Sequence, residues 1–248
     1  LEWVKINIEL RMLMFTVLSA GIAPGIALLS YFYLRDKYET EPIRMVIRML
    51  IFGALVVFPV MVVQFAFQSE HLIHSIWLES FVLNGFLEEF VKWFLVIYTA
   101  YHHAEFNERY DGIVYSVAVS LGFATVENVL YLSAYGLHYA IMRALLPVSS
   151  HALFGVIMGY YIGKAKFSSN KRKYLLVGLL FAVVLHGIYD LLLHLETSWL
   201  YIMIPFMGFL WWNALRKVKM AHVQHQLWLK RKLPLSRVSD KMNGDLPQ

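Results

Sequence analysis

Long apolar runs are the feature that most constrains this chain. Each helical residue adds about 1.5 Å, so roughly 20 mostly apolar residues cross the hydrocarbon core of a bilayer. Runs of this kind lie at 13–34, 49–67, 80–101, 112–136, 140–163, 174–195 and 199–215. They predict an all-α fold, a polytopic membrane bundle of about seven transmembrane helices. Composition agrees, because 59% of the 248 residues are hydrophobic and only 16% are charged, against about 45–50% and about 25% in soluble domains. The 17 Phe, 15 Tyr and 7 Trp suit aromatic belts at membrane interfaces. The absence of Cys excludes a disulfide framework, a thiolate metal site and a thiol nucleophile.

The runs divide the chain into an amino-terminal extension at 1–13, a transmembrane domain at 14–215 and a basic tail at 216–248 that is expected to fray. No internal repeat or Pro/Gly-rich linker splits the middle part. The first run lacks a small-residue cleavage pattern, so it reads as a retained span and not as a signal peptide. Lys and Arg gather in the first loop (Arg35, Lys37, Arg44, Arg48), the fifth (Lys164, Lys166, Lys171, Arg172, Lys173) and the tail, while the second and sixth loops have none. The positive-inside rule therefore places the amino terminus outside and the carboxyl terminus in the cytoplasm, in a multi-pass protein of the plasma membrane. The net charge of +5 reads as orientation and lipid anchoring, not as nucleic-acid binding.

Ionisable groups inside spans cost roughly 2.5–3.5 kcal/mol each at a helix centre. Four runs nevertheless carry them: Glu88, Glu89 and Lys92 in the third, Glu127 with Asn128 in the fourth, His151 in the fifth, and His186 with Asp190 in the sixth. Counted from the outer ends of their runs, Glu88, Glu127, His151 and His186 lie at depths of about 12, 13, 16 and 13 Å. Agreement to within a turn predicts one polar site in the outer half of the bilayer. Glu88 and Lys92 share a helix face at i, i+4, as do His186 and Asp190. The second pair suits two metal ligands, or an imidazole with its orienting carboxylate. Taken singly, an intramembrane His is a packing residue and a Glu-Lys turn neutralises itself; several such groups at one level need a shared wet cavity. Arg143, near an outer end, is expected to snorkel, and His71, His74, His102 and His103 to be solvated.

Common hydrolase recipes are missing. The chain has no H-E-x-x-H, no G-x-S-x-G, and no Gly-x-Gly-Asp to accompany Tyr110-Asp111 or Tyr189-Asp190. What remains is a Glu pair, a separate Glu and two His. Two chemistries stay open. In one, Glu127, His151 and His186, with Asp190, hold Zn²⁺ and the Glu pair handles protons. In the other, Glu88 activates water directly while the imidazoles stabilise the oxyanion. An ion- or proton-coupled transporter is the rival from another class, since buried acids also build relays; a noncatalytic binder of substrate helices is a further one.

The motifs Glu88-Glu89-x-x-Lys92, Phe123-x-x-x-Glu127-Asn128, the His151 segment and His186-x-x-x-Asp190 resemble those of the PrsW intramembrane proteases, relatives of CAAX-type and bacteriocin-processing enzymes. Ala23-Pro24-Gly25, Tyr110-Asp111-Gly112, Arg143-Ala144-Leu145-Leu146-Pro147 and Trp211-Trp212 extend the likeness over most of the chain. The resemblance implies a protease that makes the first, extracytoplasmic cut in a single-span, membrane-anchored anti-sigma factor during a stress response. It also implies Glu88, Glu89, Glu127, His151 and His186 as catalytic residues, with Lys92 and Asn128 in support.

Overall fold

The computed structural model describes residues 2–195 and 199–232, and among these every regular element is helical. The long helices are α1 (Glu2–Tyr33), α2 (Ile43–Ser69), α3 (Leu87–Thr99), α4 (Asp111–Tyr135), α5 (Ser149–Lys166), α6 (Lys171–Leu193) and α7 (Trp199–Lys232). Five helical stretches are long and apolar enough to cross a membrane: Lys5–Tyr33, Ile43–Ser69, Asp111–Tyr135, Leu137–Lys166 and Lys171–Leu193. They match five of the seven runs. The run at 80–101 is split instead, with a π-helix, Glu79–Phe86, feeding into the shorter α3.

The chain boundaries also differ from expectation. The helix α1 begins at Glu2, so residues 2–13 extend the first span without a break. At the other end, α7 runs past 215 to Lys232 because Val218, Ala221, His222 and His225 carry a buried stripe onward at helical spacing. The fraying expected from 216 does not begin there, and residues 233–248 lie outside the described residues.

The helices α4 and α5 form the centre. Every residue from Asp111 to Ala124 is buried, as are most of those between Ser149 and Ala165. Their crossing is set by Gly155, Gly159 and Gly163, four residues apart on α5. A Cβ at Gly159 would strike the carbonyl oxygen of Gly112, and one at Gly163 that of Arg109. Lipid supplies no hydrophobic drive between helices, so close backbone packing of this small-xxx-small kind carries much of the association. Gly159→Leu is expected to destabilise the bundle by about 1–3 kcal/mol or more, because backbone cannot move aside as a flexible side chain can. Thermal unfolding in detergent measures it, and an unchanged melting temperature would contradict the close crossing. Around this centre, α1 and α2 turn Leu13, Met14, Phe15, Leu55, Phe58 and Phe65 outward, as lipid-facing surfaces do.

The basic end is tied by short loops. Tyr110 Oη donates to the Phe32 carbonyl (2.8 Å), Tyr33 Oη to that of Glu41 (2.8 Å), and the Asp111 carboxylate accepts the Asn107 and Glu108 amides at 2.7 and 2.6 Å. Burial lifts the carboxyls here, Asp36 to about 6 and Glu41 and Glu108 to about 7, from ordinary values of 3.8 and 4.5. Between those limits the folded protein keeps protons that the unfolded chain has released. The contribution of these groups is therefore full below about pH 4 and is lost as pH rises through about 6–7. The melting temperature in detergent should drop by several degrees between mildly acidic and mildly alkaline buffer. A flat or rising profile would remove this linkage.

Candidate active site

Two π-helical segments deliver the polar residues. Glu79–Phe86 precedes Glu88 and Glu89, and Ala144–Val148 precedes His151. Such segments widen a helix and recur at functional sites. Pro147, inside the second, has no N–H to donate. The hydroxyls of the next residues cover exposed carbonyls: Ser150 Oγ donates to Pro147 O at 2.8 Å, and Ser149 Oγ bonds Leu145 O. Close approaches then set the spacing. A Cβ at Gly85 would lie 3.0 Å from the Val183 carbonyl oxygen, and Gly187 lies flat against the Phe81 ring. This brings α6, and with it His186, against the start of α3.

At the centre lies Lys92, which is 1% exposed. Its Nζ donates to Glu88 Oε2 (3.1 Å), Glu89 Oε1 (2.8 Å) and His151 Nδ1 (3.1 Å), and sits 4.1 Å from the Phe123 ring centroid. An ammonium has no lone pair, so His151 Nδ1 is the acceptor and Nε2–H donates to Glu127 Oε2 at 3.1 Å. His186 Nδ1 lies 3.0 Å from Glu89 Oε1, and its Nε2 stands 4.0 Å from Glu88 Oε2 and 3.7 Å from Asp190 Oδ1. A carboxylate bonded to one ring nitrogen fixes the imidazole and aims the other nitrogen outward. Phe154 stacks on the same ring at 5.2 Å. The two imidazoles are 5.2 Å apart.

A cavity of about 250 Å³ opens on this cluster, lined by Glu88, Glu127, His151, His186 and Asp190 together with Gln64, Asn84 and Arg143. Glu88 lies on its wall, whereas Glu89 is fully buried behind it. All four polar-bearing runs thus converge, as their depths predict. Donor atoms of Glu88, Glu89, His151 and His186 lie within 4.8 Å of one another. Among the expected ligands, only the two His belong to that tight group. Glu127 instead bonds His151 and lies 3.5 Å from Arg143 Nη2, and Asp190 faces His186 at 3.7 Å and the Asn84 side chain.

Asn128 is a helix tie. Its Nδ2 donates to Gly21 O (3.0 Å), and its Oδ1 accepts from Arg143 Nε (2.9 Å). Arg143 does not snorkel: it is buried, lines the cavity and lies over Tyr131 at 4.1 Å, because Glu127 and Asn128 of α4 capture its guanidinium. Gln64 and Asn84 escaped the sequence reading as well. Gln64 Nε2 donates to Glu88 Oε1 (3.1 Å) and Asn84 Oδ1 (3.2 Å). Both had a signal, since Gln64 is the polar residue of an otherwise apolar run and Asn84 precedes Glu88 by four positions. His71, His74, His102 and His103 are exposed, as expected.

Paired carboxylates and imidazoles around a polar cavity with room for several waters, inside a bundle of membrane-length helices, are the arrangement of an intramembrane hydrolase. Residues 41–213 match the family described as PrsW family intramembrane metalloprotease. The Protease PrsW of Geobacillus kaustophilus is 58% identical over 209 residues, covering 84% of this chain and 93% of that protein. The Protease PrsW of Bacillus subtilis is 54% identical over 210 residues, 84% of this chain and 96% of its own length. That of Clostridioides difficile is 33% identical over 205 residues, 77% and 86% respectively. No solved structure matches the chain. The chain belongs to the PrsW family: it is an intramembrane protease, a multi-pass protein of the cell membrane.

Proposed function

We propose that this protease makes the first, extracytoplasmic cut in a single-span, membrane-anchored anti-sigma factor, with Glu88 as the general base. The observation that carries the chemistry is the position of Glu88, on the cavity wall yet bonded to Lys92 and Gln64. The family likeness supports the substrate class, and the common depth of the four polar levels supports a cut near the outer face.

The four clustered donors fit a metal. Two carboxylates and two imidazoles are the hard and borderline ligands that Zn²⁺ accepts, and Glu89 Oε2 is buried without a hydrogen-bond partner. Glu89, His151 and His186 would hold it, with Lys92 released from His151 Nδ1, Glu127 orienting the His151 ring and Glu88 left free as the base. Bound there, Zn²⁺ would supply Lewis acidity and make a water more acidic. Lys92 supplies the counter-charge that keeps these anionic donors together. Glu88 takes a proton from the attacking water and returns it to the amide nitrogen as the C–N bond breaks, leaving a carboxylate and an amine. Arg143, lining the same cavity, is the cation this reading assigns to the developing oxyanion.

The test is reconstitution in liposomes with single-span substrates, with products read by intact mass. A single cut near the extracytoplasmic end of the substrate span is expected, and proton flux without cleavage would replace this reading with the transporter. A cut at the cytoplasmic end would overturn the topology.

A further inference from the structure

A second cavity, of about 590 Å³, lies at the basic end between the turn after α1 and residues 215–226 of α7. Its walls include the cations Arg35, Lys37 and Lys219, the imidazole of His222, and the apolar side chains of Leu34 and Val223. None of the three cations makes an ion pair with a described residue. Asp36 stands between two of them in sequence, but it does not line the cavity. His222 is only 6% exposed, and its Nε2 has no hydrogen-bond partner. The ring is fixed by Tyr110, stacked at 4.5 Å and 24°, and by the edge of Tyr38 at 6.1 Å. Three cations without an ion-pair partner around one cavity, with His222 held behind them, are arranged for an anion.

The position selects which anion. Leu34 is exposed beside the charges, Leu215 lines the cavity on the membrane side, and Trp212 lies exposed one turn before Arg216, whose guanidinium sits 5.4 Å from its ring. Aromatic and basic residues paired in this way mark the headgroup level of a bilayer. Charge at one end and greasy walls at the other complement a phospholipid and not a free oxyanion.

We propose that this cavity is a binding site for the phosphodiester headgroup of an anionic phospholipid. Arg35, Lys37 and Lys219 neutralise the phosphate, and an acyl chain lies along Leu34 and Leu215. The site is separate from the cleavage centre, and its existence does not depend on the substrate assignment.

The experiment titrates the full chain in neutral detergent with phosphatidylglycerol, phosphatidylcholine or inorganic phosphate, reading retained lipid by native mass spectrometry and the melting temperature in parallel. Phosphatidylglycerol should be retained and should raise the melting temperature, while phosphatidylcholine does neither. Lys37→Gln combined with Lys219→Gln should weaken retention by roughly 30-fold, as loss of two surface cations implies. Lys171→Gln with Lys173→Gln, which removes two exposed cations of another loop, should leave it unchanged. Should the first double variant fold poorly, Arg35→Gln alone carries the same comparison. Equal retention of both lipids, or equal losses in both double variants, would overturn the proposal in favour of diffuse attraction. A matching shift with inorganic phosphate alone would overturn it in favour of a free-anion site.

Discussion

Glu88→Gln should lower cleavage by roughly 10²–10⁴-fold while leaving the melting temperature nearly unchanged, whereas Glu89→Gln should cost both. The two neighbours differ in their surroundings. Glu88 lines the cavity, so a carboxamide there can be wetted; its oxygen still accepts Lys92, and its NH₂ faces Gln64, whose amide can turn. What is lost is the proton acceptor. Glu89 is fully buried, and its Oε1 receives both Lys92 and the His186 ring nitrogen. A carboxamide removes the charge that compensates buried Lys92 and sets an NH₂ group among donors. Breaking a buried pair from one side costs about 3–5 kcal/mol. Cleavage rates with a single-span substrate, beside unfolding curves in detergent, separate the two. A Glu88→Gln enzyme that cuts at the wild-type rate would remove Glu88 as base, and a Glu89→Gln enzyme of native stability would remove the buried anchor.

Much of this centre was legible because lipid makes polarity expensive. Glu88, Glu127, His151 and His186 could be placed at one level by counting residues, and each touches the Lys92-centred network directly or through one neighbour. The hydrogen-bonding order was not legible. Counting gives depth along a helix, not azimuth across the bundle, so it could not show that Glu88 and Glu89 share one tight donor group with both imidazoles while Glu127 bonds His151 alone. The π-helices add to that difficulty, since each shifts the angular register of the residues following it. Arg143 failed for a related reason. Its place near a run's end suggested escape to water, while its partners, Glu127 and Asn128, belong to another helix. The run at 199–215 shows the opposite error: hydropathy stops where the bilayer does, but the buried stripe of α7 continues to His225 against the loops.

On the proposed assignment, His186→Ala should abolish cleavage and remove bound metal together, while Glu127→Gln should weaken both by about 10–100-fold. His186 belongs to the tight donor group, with Glu89 on Nδ1 and Nε2 directed toward Glu88 and Asp190. Alanine removes the donor and unstacks the ring from Phe154, and no described side chain beside it can replace an imidazole. Glu127 acts one step away. It bonds His151 Nε2 and is partly exposed to the cavity, so Gln keeps the shape and one acceptor while the negative charge that Arg143 answers is lost. A ligand and its orienting partner thus differ in degree, and metal content measured on the purified variants reads that difference without reference to turnover. Equal metal content in wild type and His186→Ala would remove His186 from the ligand set. A Glu127→Gln protein as empty of metal as His186→Ala would make Glu127 a ligand, and the tight group would then have to be redrawn around it.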